Sequence, residues 1–414
     1  MSRRPRASPG PDPASGPPTP LTRPEELGPL AQRARDLGRL GIDTEFMGEG
    51  RYRTLLCLVQ VVLGEGEAAT VHLIDPLDAS VDPAPMAQVL ADPSVEIVMH
   101  AARQDVALLR RVWSTEVTAL FDTQVAAGFA GLRSQAGYDA LLNQLLGVKL
   151  SKTASYTRWD SRPLSAEQLR YAGEDVLHLL ELASELQRRL AASGRLEWAR
   201  EECRPLERVS DAREIETVFA RLPRIGGLDA RTRAVAHELV AWREAAAEAA
   251  DRPASGILND NALVEVARRR PSTMRELEQL RGVNAGSLRR RGDDLLAAVS
   301  RGRDQPGIPP DGERRPPTEE GDAPLIALSE ALVRARALEA GIAYELIAAR
   351  ADLQEMVVAH RLAAGEADVR TLRGWRRELV GAELLDLLDG RRALSVDRAR
   401  RVRTTAATRP GSTN

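Results

Sequence analysis

Gly41-Ile42-Asp43-Thr44-Glu45-Phe46 ends an apolar run that starts at Leu40. It reads as a strand whose alternation puts Asp43 and Glu45 on one face. Two later segments carry acids in comparable settings. His100-Ala101-Ala102-Arg103-Gln104-Asp105 follows a second apolar strand, with Asp105 in the first turn of a helix. Tyr171-Ala172-Gly173-Glu174-Asp175-Val176 lies in a helical pattern, where a spacing of four brings Tyr171 and Asp175 onto one face. Strand ends and helix faces of one α/β domain can meet at a single cleft. Carboxylates gathered there suit hard divalent cations, Mg²⁺ or Mn²⁺ rather than zinc, and two such ions can drive phosphodiester cleavage.

The pattern around these segments is that of a mixed, three-layered sheet. Strands are predicted over 40–46, 55–63 and 70–74, joined by short turns and therefore antiparallel. A helix over 83–91, a strand over 95–100, a helix over 103–113 and a short strand near 117–121 follow. Helices are predicted over 122–130, 137–146 and 165–190, and the domain spans 25–205 after a disordered Pro/Gly/Ser/Arg segment at 1–24. Beyond about 207 the strands disappear. Two all-α blocks are expected at 212–302 and 324–400, joined by a Pro/Gly-rich linker at 303–323 and followed by a disordered basic tail at 401–414.

Composition sets bounds on function. At 414 residues and 43% hydrophobic, the chain can bury two or three cores, and no run approaches the ~18 apolar residues of a membrane span. Two cysteines, Cys57 and Cys203, make no disulfide framework, and the N-terminus lacks the apolar core of a secretory signal. A cytoplasmic location without membrane contact is the simplest expectation. A net charge of −2 gives no global basic signature, so nucleic-acid contact would have to rest on local patches. Arg268–Arg270, Arg289–Arg291 and the arginines from 391 to 409 are the candidates. Lysine occurs only at Lys149 and Lys152.

Together the acids and Tyr171 resemble the DEDD superfamily of 3′→5′ exonucleases, in the branch with Tyr in the third motif, and within it the ribonuclease D family. Supporting segments are Leu58-Val59-Gln60, Leu73-Ile74-Asp75-Pro76, Phe121-Asp122-Thr123, Gly147 through Lys152 and Trp159 through Leu164. The resemblance covers about 37–190. The block at about 225–303 resembles an HRDC domain, a helical nucleic-acid-binding module, through Ile257-Leu258-Asn259-Asp260-Asn261 and Leu280-Arg281-Gly282-Val283. The block at 324–400 resembles a divergent second copy.

This resemblance implies a ribonuclease H-like fold and hydrolysis from RNA 3′ ends that releases nucleoside 5′-monophosphates. The implied partner is RNA with a free 3′ end, tRNA-like or another small structured RNA. Asp43, Glu45, Asp105 and Asp175 carry over as ligands of two Mg²⁺ or Mn²⁺ ions, and Tyr171 as the residue that orients water. Phe46, His100, Lys152 and Trp159 are expected near the substrate, with packing roles as the alternative for Phe46, His100 and Trp159. Two rival readings are a DNA-directed 3′→5′ exonuclease and a catalytically silent RNA-binding scaffold.

Overall fold

The computed structural model describes residues 19–133, 135–150, 158–283, 285–310 and 316–407. The chain opens with β1 (Pro20–Leu21), α1 (Pro24–Leu37), β2 (Arg39–Met47), β3 (Leu55–Leu63) and β4 (Thr70–Ile74). It continues through α2 (Ala84–Leu90), β5 (Glu96–Met99), α3 (Arg103–Val112), β6 (Leu120–Asp122), α4 (Thr123–Phe129) and α5 (Tyr138–Leu145). Helices α6 (Ala166–Leu177), α7 (Leu179–Ala192) and α8 (Leu196–Cys203) complete the first domain. The six strands lie in the order β1-β4-β3-β2-β5-β6. β2–β3 and β3–β4 pair antiparallel, as their short turns require, whereas β2–β5 and β5–β6 pair parallel across helical crossovers.

The two sheet faces bury different cores. Leu40 and Ile42 on β2 pack with helix residues Leu27, Met86, Val106 and Leu109. The opposite face carries α6 and α7. Gly41 lies there, and a Cβ on it would stand 2.5 Å from Val62 Cγ1 and 3.3 Å from Leu179 Cδ2, so only glycine lets α7 approach β2 this closely.

Two expectations for this domain need correction. The segment 165–190 is not one helix: His178 leaves the helical region at φ −103° and ψ 10°, separating α6 from α7. The break has a packing reason, since α6 crosses β2, β3 and β4 while α7 crosses β2, β3 and β5. The segment 1–24 is not wholly irregular either. Pro20 and Leu21 pair with Leu73 and Ile74, and Glu26 accepts from the Thr22 and Arg23 amides to start α1.

Helices α9 (Ile215–Ala220), α10 (Ala230–Ala249), α11 (Ala254–Ile257), α12 (Asp260–Arg269), α13 (Met274–Glu278) and α14 (Ala285–Asp304) form a second domain with its own core around Val235, Leu239, Leu263, Leu277 and Val299. It meets the first domain at the β2–β3 turn. There Arg51 pairs with Asp251 at 2.8 Å, Arg53 pairs with Glu248 at 3.0 Å, and Tyr52 packs beside Ala247 and Ile257.

The third domain comprises α15 (Asp322–Ala340), α16 (Tyr344–Ile347), α17 (Arg350–Arg361), α18 (Gly374–Arg376) and α19 (Ala382–Leu388), with a π-helical turn at Arg377–Gly381 before α19. It is attached differently. Its core is continuous with the α4–α7–α8 side of the first domain, from Phe129, Leu182 and Leu186 to Leu332, Leu353 and Trp375. This region is not all-α, and Val402–Ala406 of the expected disordered tail form a strand; residues 408–414 lie outside the described residues. Strands β7 (Arg392–Val396) and β8 (Val402–Ala406) form an antiparallel hairpin seated on α15 and α19. Short Arg- and Thr-rich strands joined by a five-residue loop lack the apolar alternation and Asn-Gly turn that announce a hairpin in sequence.

Candidate active site

Strand β2 supplies two acids. Asp43 and Glu45 project from the face covered by α6, which carries Tyr171 and Asp175 one helical turn apart. Helix α6 starts cleanly because Ser165 accepts from the Gln168 amide at 3.2 Å and Gln168 Oε1 accepts from the Ser165 amide at 2.9 Å. The helix runs through Gly173 without interruption, so this glycine does not displace Asp175. The fourth acid, Asp105, is buried in the first turn of α3. It comes from the other side of the sheet, where the Thr44 hydroxyl donates to its Oδ1. Thr44 thus holds Asp105 against the strand that bears Asp43 and Glu45.

The turn between β5 and α3 is set by Asp122. Its carboxylate accepts from the Ala101 and Ala102 amides at 3.2 and 2.9 Å and from the Gln124 amide at 2.7 Å. These bonds support Ala101, which stands in the left-handed region at φ 56°. Sequence reasoning gave neither Thr44 nor Asp122 a task. The Phe121-Asp122-Thr123 segment marked the place, but the bonds of Asp122 with the Ala101 and Ala102 amides and of Thr44 with Asp105 join residues 20 or more positions apart.

The acids repel one another. Burial, then the charges of Asp105, Asp175 and Glu45, push the Asp43 carboxyl well above its ordinary value. Burial, then Asp175 and Asp105, raise Glu45 to about 8. Burial raises Asp105 and Asp175 to about 6 each, against hydrogen bonds from Thr44 and Tyr171 that pull them down. Burial, then Asp175 and Glu45, push the Tyr171 hydroxyl above its ordinary range, so it stays protonated and acts as a donor. None of the four acids has a basic partner among the described residues. Four oxygen donors left short of positive charge fit a hard divalent cation. Among the described residues, however, no three groups already stand together as a ready-made ligand cage. The acids face each other at electrostatic rather than coordination range.

This electrostatic imbalance predicts how stability depends on pH. For each carboxyl raised on folding, the stabilising contribution is full below about pH 4 and is lost as pH rises through the folded values of about 6 to 8. The rise of Asp105 from 3.8 to about 6 corresponds to ~3 kcal/mol between its protonation states. In EDTA, the melting temperature should therefore fall between pH 5 and pH 8.5, and millimolar Mg²⁺ should raise it more at pH 8.5 than at pH 5. Equal increments at the two pH values would show that the cluster does not take the ion.

The remaining predicted residues separate. Trp159 is 6% exposed and lies 6.1 Å from the Tyr171 ring, so it forms the wall behind Tyr171. Arg162 fixes that wall by pairing with Asp75 and donating to the Trp159 carbonyl at 2.8 Å. Phe46 packs into the core on the α3 face, one residue out of phase with Asp43 and Glu45, and so turns away from them. His100 joins Thr123 Oγ1 through Nδ1 at 2.9 Å and stands 5.7 Å from the Tyr138 ring. Burial lowers its pKa, which favours the neutral imidazole. Lys149 is exposed, and Lys152 lies outside the described residues.

A mixed α/β domain whose sheet and two helices set four carboxylates and a tyrosine within electrostatic reach of one another is matched, over residues 18–191, by the family model described as "3'-5' exonuclease", and that defines the class. The HRDC domain model matches residues 232–299. The ribonuclease D of Granulibacter bethesdensis is 36% identical over 391 residues, covering 92% of this chain and 95% of that protein. The enzyme of Gluconacetobacter diazotrophicus is 36% identical over 388 residues, with coverage of 92% and 95%. The crystal structure of Escherichia coli RNase D, described as an exoribonuclease involved in structured RNA processing, superposes with a TM-score of 0.76 at 28% identity. It covers 90% of this chain and 98% of that one. The chain belongs to the ribonuclease D family. Its activity is that of a ribonuclease D-like, metal-dependent 3′→5′ exoribonuclease. Among the described residues, no helix is long and apolar enough to cross a membrane.

Proposed function

We propose that the chain trims the 3′ ends of small structured RNAs, tRNA precursors among them, and that two Mg²⁺ or Mn²⁺ ions serve the cleavage. Asp43, Glu45, Asp105 and Asp175 would hold the ions, and the clustering of these four acids within electrostatic reach of one another, with no basic partner among the described residues, is the observation that carries this reading. When bound, such ions lower the pKa of water and stabilise charge on a leaving oxygen. The protein's own groups do the rest. Thr44 holds Asp105 in place, and the protonated Tyr171 hydroxyl donates a hydrogen bond that orients the attacking water. Trp159 backs the Tyr171 ring and keeps that hydroxyl from swinging away.

The helical domains would grip the body of the RNA. The second domain contains a cavity of about 880 Å³ whose lining includes Arg224, Arg268, Arg281, Asn259 and Asn261, groups suited to phosphates and base edges, beside Glu265 and Glu276. The third domain would be a divergent second HRDC copy that has acquired a terminal hairpin.

The test is digestion of a 5′-labelled, 3′-overhanging tRNA-like substrate beside a DNA strand of equal sequence. The expected result is a Mg²⁺- or Mn²⁺-dependent ladder that shortens from the RNA 3′ end and releases nucleoside 5′-monophosphates. Preferential shortening of the DNA strand would replace RNA by DNA as the substrate.

A further inference from the structure

Hairpin β7–β8 splits its arginines into two groups. Those at its base and on its strands are neutralised: Arg391 pairs with Asp386 and Asp389, Arg392 with Glu383 and Asp386, and Arg403 with Asp397 and Glu339. Thr404 adds a hydrogen bond to Glu383 Oε1 at 2.6 Å. The loop at the tip is equally well built. Asp397 accepts from the Ala399 and Arg401 amides at 2.8 and 2.9 Å, and Arg400 is held in the left-handed region at φ 60°. Yet Arg398, Arg400 and Arg401 on that loop are exposed, and none of the three has an acidic partner among the described residues. Three unpaired guanidiniums on a pre-ordered loop form a cationic tip.

The mount of this tip is rigid. The hairpin sits on α15 and α19, and that domain shares a continuous apolar core with the catalytic domain. The tip therefore stands at a fixed offset from the four acids.

We propose that Arg398, Arg400 and Arg401 contact the phosphate backbone of the folded body of the RNA whose 3′ end occupies the catalytic cleft. The inference rests on the RNA-trimming reading above and adds a contact surface to it. Guanidinium forks match phosphate oxygens, and a protruding two-stranded ribbon reaches past the domain surface to meet them. A protein partner fits less well. Such interfaces centre on buried aromatic or apolar anchors, whereas the tip offers only Val396, 71% exposed, beside the charges.

Full-length protein carrying Arg398→Ala, Arg400→Ala and Arg401→Ala is compared with the triple Lys variant. Binding of a hairpin RNA with a 3′ overhang is measured in an Asp43→Asn background, and turnover in the otherwise native enzyme. For the triple Ala variant, the slope of log Kd against log salt falls by roughly 2 to 3, as expected for three lost phosphate contacts. KM for the folded RNA rises at constant kcat, a four-nucleotide single strand is turned over as before, and the Lys variant keeps most of the slope. An unchanged slope on folded RNA overturns the proposal, as does an equal loss on the short strand. Arg-dependent binding of a glutamate-rich peptide with RNA binding unaltered overturns it in favour of an acidic protein partner. If the native enzyme shortens neither RNA, the trimming reading fails instead.

Discussion

Replacing Asp43 by Asn should lower kcat for 3′-end hydrolysis by roughly 10³-fold or more, equivalent to about 4 kcal/mol in the barrier. Asp43 lies among the other three acids, and the charges of all three act on it. Its amide isostere keeps the shape of β2 but removes one of the four carboxylates that would hold a divalent cation. The same change relieves repulsion in the metal-free protein, so the melting temperature in EDTA at pH 8 should rise while activity disappears. Rapid-quench turnover and thermal melts on one preparation read the two effects. Loss of activity with loss of stability would mark Asp43 as structural, and retained activity would remove it from the site.

The second large effect concerns the joint between the catalytic and third domains. Trp375 is 2% exposed, stacks on Trp198 at 5.4 Å and 17°, and meets the Phe129 edge at 5.0 Å and 70°. Arg376 completes the joint, pairing with Glu202 at 2.6 Å. Trp375→Ala leaves a cavity with little freedom to collapse, since α4 and α8 are held by the sheet, and should cost about 3–5 kcal/mol. The loss should fall on the catalytic and third domains together. The second domain has a separate core, and its urea transition should stay where it was. A uniform shift of every transition would contradict this division. The exposed pairs Arg51–Asp251 and Arg53–Glu248 contribute much less, each of the order of 1 kcal/mol or below.

The arrangement of the acids was largely legible in the sequence, because these residues lie in regular elements whose periodicity fixes direction. Alternation put Asp43 and Glu45 on one face of β2, and helical spacing put Tyr171 beside Asp175. The same alternation, followed one residue further, turns Phe46 away from the acids and toward the opposite core, against which the structure packs it. Burial of Trp159 behind Tyr171 is different, because it depends on Arg162 reaching Asp75 across 87 positions of sequence.

The order of acids and periodic strands determined, by sequence alone, an α/β domain with a cluster of carboxylates and helical domains behind it. Those features are local, and each is fixed by backbone geometry over a few residues. Tertiary structure alone decided that Thr44 catches Asp105 from the far side of the sheet and that α6 parts from α7 at His178. It also decided that the third domain fuses its core with the catalytic domain and that the basic C-terminal run folds into a hairpin. Each of these comes from partners distant in sequence competing for the same buried surface or the same hydrogen bonds, and no local pattern records which partner wins.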